Sequence, residues 1–305
     1  MKIVGDETNN LIARKLAEYF NSEPTKVEIG EFPNGEIKLR IEEELEGEEV
    51  LLVNSITSPI HKNIIKFQLL ADACSWLNPK KIIGVLPWLP YSPQDKIFRK
   101  GEPLSSQVLI SNLEASQIDE FIVLDLHSQA LKSFFTKKIV ELDVLPVFAD
   151  FLEAQIRGNE SEWAVVSVDN GNRIRSNELA EKLNIDIHSF SKIRDRHTGK
   201  IRYIEFPEEL MGKKIVIIDD FISTGSTLVR AASYVKDIGA KRCVCLITHC
   251  ITRRGLSNVL ESSVDQIITT NSIIHPGISN EKLEIRDITP LIARSISEVE
   301  NGQRK

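Results

Sequence analysis

Short apolar runs rich in Val and Ile recur along the chain and alternate with stretches whose apolar residues fall at helical spacing. The runs predict strands at 50–54, 82–88, 121–125, 164–168, 215–219, 243–248 and 266–269. The three-to-four spacing predicts helices at 11–20, 64–77, 108–113, 147–156, 179–183 and 228–238. Runs that are apolar throughout belong to strands buried on both faces, and strands that alternate with helices build mainly parallel sheets flanked by helices. The predicted fold class is therefore α/β. The same order of elements is found on both sides of a break near 142–146, with no close sequence repeat, which predicts two α/β domains of similar architecture. A length of 305 residues agrees, because it exceeds what one hydrophobic core usually serves.

Two stretches, 28–41 and 188–206, break the rhythm and alternate as hairpins do, with charges at their tips. Excursions of this kind in an α/β enzyme often carry function. Composition changes the picture only by exclusion. A net charge of −6 argues against non-specific binding to nucleic acid or to an anionic membrane, although local basic patches can still hold phosphates. The N-terminus lacks the apolar core of a signal peptide, and no window approaches the roughly 20 apolar residues of a membrane span, so a cytoplasmic protein is expected. The four cysteines, Cys74, Cys243, Cys245 and Cys250, form no C-x-x-C pair and are expected to be reduced core thiols.

The chemistry concentrates at 214–227. A buried strand, Lys214-Ile215-Val216-Ile217-Ile218, ends in Asp219-Asp220; a short loop follows, then a helix beginning near Thr227. Ligands of open α/β sheets bind outside the carboxyl ends of the strands, where this loop must lie. Carboxylates can accept from sugar hydroxyls. Gly225 permits close backbone approach, and the loop N–H groups with the Thr224 and Thr227 hydroxyls can surround a phosphate at a helix N-terminus. Neither a Walker A sequence nor G-x-G-x-x-G occurs, so any ATP is held by another device.

This string resembles the phosphoribosyl-pyrophosphate-binding motif shared by phosphoribosyltransferases and ribose-phosphate pyrophosphokinases. Further segments resemble the second family over about residues 1–290. Phe32-Pro33-Asn34-Gly35-Glu36 looks like its ATP loop, usually Phe-x-Asp-Gly-Glu, in which Phe32 would stack on adenine while Asn34 and Glu36 read polar edges. Tyr91-Ser92-Pro93-Gln94-Asp95-Lys96 resembles a second ATP segment, Tyr-x-Arg-Gln-Asp. Pro93 stands in place of the Arg, with Lys96, Arg99 and Lys100 as nearby cations. Asp125-Leu126-His127 resembles the strand-end Asp-Leu-His that serves the Mg-ATP region. Val168-Asp169-Asn170-Gly171-Asn172 resembles the pyrophosphate loop, with Asn172 in place of its second Gly. Ser191-Lys192-Ile193-Arg194 resembles the catalytic Lys-x-Arg segment; in an extended chain Lys192 and Arg194 share one face. Ser223 and Gly101-Glu102-Pro103 look more like the archaeal type of the family.

The resemblance implies two phosphoribosyltransferase-like domains, 1–143 with the C-terminal helix 286–305, and 144–285. It implies transfer of pyrophosphate from ATP to the 1-hydroxyl of ribose 5-phosphate. Phe32, Asn34, Gly35, Glu36, Gln94, Asp95 and Lys96 would take ATP; Asp219, Asp220, Ser223, Thr224, Gly225, Ser226 and Thr227 would take ribose 5-phosphate. His127 and Asp169 would be the metal-associated groups, with Mg²⁺ as cofactor holding few protein ligands, and Lys192 and Arg194 would be catalytic. A homo-oligomer with the ATP site shared across subunits is implied as well. Two rivals stay open: a catalytically weak or silent regulatory homologue, and a phosphoribosyltransferase that consumes the product.

Overall fold

The computed structural model describes residues 1–5, 10–168, 171–190, 192–194, 201–203 and 208–300, with the backbone alone at 10, 192–194, 201–203 and 298–300. It divides into two compact units, Met1–Asp143 with Ile288–Lys305, and Val144–Asp287.

The first unit runs β1 (Lys2–Gly5), α1 (Asn10–Tyr19), β2 (Val27–Glu31), β3 (Ile37–Ile41), β4 (Glu49–Val53), α2 (Ile60–Ser75), β5 (Lys81–Leu86), α3 (Ser105–Ala115), β6 (Glu120–Leu124) and β7 (Lys138–Leu142). Five strands form one parallel sheet in the order β1-β4-β5-β6-β7. The apolar runs fill it: Leu52, Ile82 and Phe121 meet Phe67 and Leu70 of α2 and Ile110 and Leu113 of α3 in one buried cluster. β2 and β3 pair only with each other, as an antiparallel hairpin from Val27↔Ile41 to Glu31↔Ile37.

The second unit runs α4 (Leu145–Ile156), β8 (Trp163–Ser167), α5 (Arg173–Leu183), β9 (Asp186–Ser189), β10 (Lys192–Arg194), β11 (Ile201–Tyr203), β12 (Lys214–Ile222), α6 (Ser226–Asp237), β13 (Arg242–Cys250), α7 (Arg253–Leu260), β14 (Gln266–Thr270) and β15 (Leu283–Arg286). Its six-stranded parallel sheet has the order β15-β14-β13-β12-β8-β9. β10 and β11 form a separate antiparallel pair. The last helix, α8 (Thr289–Glu300), packs against α1 and β7 of the first unit.

Each strand and helix expected from the pattern is present, with ends moved by a few residues. One expectation is corrected. β12 does not end at Asp219-Asp220 but continues to Ile222, because β13 runs equally long and pairs Asp219↔Ile247, Phe221↔His249 and Ile222↔Cys250. Backbone pairing with a neighbour overrides the polarity of two side chains, and the connection to α6 shrinks to Ser223–Gly225. α7 was not legible. Its sequence contains Gly255, Ser257 and Asn258, all poor helix formers, and it holds through burial of Leu256, Val259 and Leu260 and through the Thr252 cap. Burying such a side chain contributes about 1.5–3 kcal/mol, more than the propensity deficit.

All four cysteines are buried and free. Burial pushes the Cys74 thiol up to about 12 and the Cys250 thiol up to about 11. The Cys243 thiol beside it, together with burial, raises Cys245 as well. All four are free core side chains, as the sequence suggested. Among the described residues no helix is long and apolar enough to cross a membrane.

Candidate functional site

In a parallel sheet every loop that follows a strand leaves at the same edge. In the second unit β8, β12 and β13 are neighbours, so the segments after Ser167, Ile222 and Cys250 lie side by side. The β12–β8 pairing runs from Lys214 to Val216, and Asp219 stands three residues beyond it. There Asn172 Nδ2 donates to Asp219 Oδ1 at 2.6 Å, an assignment fixed by chemistry, since an ionised carboxylate only accepts. The Asp220 amide donates to the same oxygen at 3.0 Å, and Asp220 Oδ1 accepts from the Phe221 amide at 2.9 Å. Both carboxylates are half-buried. The structure thus joins the segment after β8 to the carboxylate pair, and it does so through the residue by which that segment departs from the family pattern. Asn172 caps α5 by position, but its side chain makes no cap bond there.

Ser223, Thr224 and Gly225 link β12 to α6. Gly225 has φ +75°, a left-handed value, and as the cap of α6 it offers no side-chain acceptor to the first-turn N–H groups. Those groups, with the positive end of the helix dipole, suit an anion. The Thr224 and Ser226 hydroxyls are 3.0 Å apart, and both residues are exposed, as are Ser223 and Thr227. A neighbour the sequence reading missed fixes this loop from behind. Ile251 N donates to Ile222 O at 3.0 Å, the Thr252 hydroxyl donates to Ser223 O, and Asn258 Nδ2 donates to Thr224 O at 3.0 Å. A Cβ on Gly255 would lie 1.9 Å from Ser223 O, so only glycine lets α7 approach so closely. The usable signal was Thr252 as a helix cap followed by Leu256, Val259 and Leu260 at helical spacing.

In the first unit the carboxyl ends of β4, β5 and β6 lie in a row. Phe32–Glu36 forms the tip of the β2–β3 hairpin, closed by Phe32 N to Glu36 O and Gly35 N to Phe32 O, both 2.8 Å, and by Glu36 N to Asn34 Oδ1 at 3.3 Å. All five residues are exposed, with Phe32 46% so. Tyr91–Lys96 follows β5, with Tyr91 in the left-handed region at φ 62°. The first turn of α2 touches both segments: Lys62 pairs with Glu31 at the hairpin, and His61 stacks on Tyr91 with the rings 6.4 Å apart. The two expected ATP segments therefore flank one helix end. Gln94 is bound inside the fold, its amide donating to Pro103 O at 3.1 Å and accepting from the Ser105 hydroxyl at 2.5 Å. Asp95 is half-buried and Lys96 exposed, its ammonium 5.2 Å from the Phe98 ring centre.

His127 is exposed just past β6, after Asp125, which is buried at φ 43°. A non-glycine residue held there costs about 1–3 kcal/mol, a strain typical of functional turns. Asp169 lies outside the described residues. Lys192 and Arg194 are the ends of β10, paired with Tyr203 and Ile201 of β11; the rest of that excursion is described only in part. Among the described residues no group of three His, Cys, Asp or Glu could hold a metal ion. His127 stands exposed at a strand end, and Mg²⁺, which prefers oxygen ligands, keeps several waters and needs few protein ligands, does not require a larger protein cluster.

Two family models match the chain: residues 1–116 match the N-terminal domain of ribose phosphate pyrophosphokinase, and 147–279 match a phosphoribosyl transferase domain. The chain is 31% identical to the ribose-phosphate pyrophosphokinase of Sulfurisphaera tokodaii over 97% of its own length and 100% of that protein. It is 29% identical to the enzyme of that name from Aquifex aeolicus, over 99% of this chain and 96% of that one. Among solved structures, phosphoribosylpyrophosphate synthetase from Mycobacterium smegmatis has a TM-score of 0.90, covering 99% of both chains at 24% identity, a likeness of fold.

Proposed function

Since the chain belongs to the ribose-phosphate pyrophosphokinase family, we propose that it transfers the β,γ-pyrophosphoryl group of ATP to the 1-hydroxyl of ribose 5-phosphate, giving phosphoribosyl pyrophosphate and AMP. The observation that carries the reading is the paired Asp219-Asp220 carboxylates three residues ahead of the Ser223–Gly225 loop, at the start of α6, in a chain whose first 116 residues match the pyrophosphokinase-specific domain. A phosphoribosyltransferase needs no such first domain, so that rival loses its support.

Asp219 and Asp220 accept hydrogen bonds from ribose hydroxyls, and residues 223–227 hold the 5-phosphate with loop amides, hydroxyls and the α6 dipole. Phe32, Asn34, Gly35, Glu36, Gln94, Asp95 and Lys96 form the ATP site, with Phe32 stacking on adenine; of these, Gln94 acts through its hold on residues 103–106. His127 and Asp169 would stand beside a Mg²⁺ cofactor, which would neutralise charge on the triphosphate. Lys192 and Arg194 stabilise charge on the transferring group, because phosphoryl transfer depends on positioning and electrostatics rather than covalent help. The protein is a cytoplasmic homo-oligomer, in which the β2–β3 tip completes the ATP site of a neighbouring subunit. The exposed Phe32 at the end of an otherwise isolated hairpin supports that arrangement.

The test is an assay of the purified protein with Mg²⁺, ATP and ribose 5-phosphate in which AMP and phosphoribosyl pyrophosphate are followed together. Both are expected to form at equal rates. Appearance of neither would favour the silent homologue. Light scattering at assay concentration should give a multiple of the chain mass, and a fully active monomer would remove the shared ATP site.

A further inference from the structure

The carbonyls of Ile222, Ser223 and Thr224 are three in succession, and all three are turned to one neighbour. Ile222 O accepts from the Ile251 amide, Ser223 O from the Thr252 hydroxyl, and Thr224 O from Asn258 Nδ2. In a planar trans peptide the N–H points opposite to the C=O. The N–H groups of Ser223, Thr224 and Gly225 are therefore turned away from the segment Ile251–Asn258, to the opposite side of the loop. Thr252 does two things: its oxygen caps α7 by accepting from Gly255 N at 2.9 Å, and its proton goes to Ser223 O. Gly255 permits the approach, and Gly225, whose Cβ would meet Gly255 O at 2.7 Å, is seated on the same helix.

We infer that Thr252 and Asn258 are positioning residues for a phosphate monoester: by clasping the Ser223 and Thr224 carbonyls from behind, they present the N–H groups of Thr224 and Gly225 to the 5-phosphate of the sugar, beside the Ser223 N–H that the Ile251 amide sets through Ile222 O. The inference rests on the ribose 5-phosphate reading of this loop and adds to it the device that gives the loop its shape. Neither side chain touches the ligand. Without the clasp the Ser223–Thr224 and Thr224–Gly225 peptides can rotate, and their N–H groups no longer converge before the ligand arrives.

The test compares Thr252→Val, Thr252→Ser and Asn258→Ala in the full-length protein, reading the KM of ribose 5-phosphate, the KM of ATP and direct calorimetric binding of ribose 5-phosphate. Thr252→Val should raise the KM and Kd of the sugar phosphate about three- to tenfold, the effect of one lost hydrogen bond, with the ATP KM unchanged within about twofold. Thr252→Ser keeps both the cap and the donor and should behave as native. Asn258→Ala should raise the same constants while leaving thermal stability unchanged or improved, since alanine is the better helix former, which separates positioning from folding. Unchanged sugar-phosphate constants in Asn258→Ala, or a Thr252→Ser protein as weak as Thr252→Val, would overturn the inference alone. Failure of the native protein to bind ribose 5-phosphate would overturn the reading on which it rests.

Discussion

Replacing Lys192 with alanine should lower kcat by about a hundred- to a thousandfold, by analogy with loss of a preorganised electrostatic donor, and should change the KM of either substrate much less. Lys192 lies in neither the adenine segments nor the 5-phosphate loop. A cation that engages the pyrophosphoryl group as its charge builds stabilises the transition state more than the ground state, which lowers kcat rather than raising KM when it is lost. Arg194→Ala should be similar or somewhat milder, and the double variant should fall short of the product of the two if both serve one state. Folding should be unaffected, because β10 and β11 form their own two-stranded pair outside the six-stranded sheet. Steady-state kinetics in both substrates is the measurement. A Lys192→Ala protein with normal kcat and only a raised ATP KM would make this segment a binding clamp.

At the sugar-phosphate end, Gly225→Ala should cost about a hundredfold or more in kcat/KM for ribose 5-phosphate, as expected when several preorganised donors are displaced together. Two causes act at once. A side chain at φ +75° is strained by about 1–3 kcal/mol, and its Cβ would stand 2.6 Å from Val259 Cγ2 and 2.7 Å from Gly255 O, neither a flexible tip that can swing away. The loop must move off α7, and its N–H groups move with it. Asp220→Asn should be milder, about ten- to a hundredfold, corresponding to one charged hydrogen bond of roughly 1.5–3 kcal/mol. Thermal melting should show Gly225→Ala destabilised and Asp220→Asn near native. Native kinetics in Gly225→Ala would mean that the loop does not hold the phosphate.

The sheets were legible because runs such as Ile215–Ile218 and Leu51–Val53 are apolar at successive positions and have no other fate than a doubly covered strand. Edge strands were harder. β15 reads Leu-Glu-Ile-Arg and β9 Asp-Ile-His-Ser, each with polar residues interleaved and too short to stand out. β12 outran its apolar segment since pairing with β13 continues beneath two aspartates, a long-range fact that no local pattern carries. The carboxylates and the Thr-Gly turn were visible in sequence because glycine and acid pairs carry their chemistry in their identity. What was not visible is what holds them. Asn172 looked only like a departure from the family pattern, yet its amide orients Asp219 across 47 positions of sequence. Thr252, Gly255 and Asn258 drew no notice in the sequence, and only the packing of α7 on the loop gives them a task.

In the proposed reaction the β-phosphorus of ATP becomes bonded to O1 of the sugar and its bond to the α-phosphate oxygen breaks, releasing AMP. The direct measurement uses ATP labelled at the β-phosphorus, incubated with the protein, Mg²⁺ and ribose 5-phosphate, followed by separation of nucleotides from sugar phosphates. Unlabelled AMP is expected, with an equal amount of phosphoribosyl pyrophosphate carrying the label at the phosphorus next to C1. Label retained in ADP, with a singly phosphorylated C1, would contradict it.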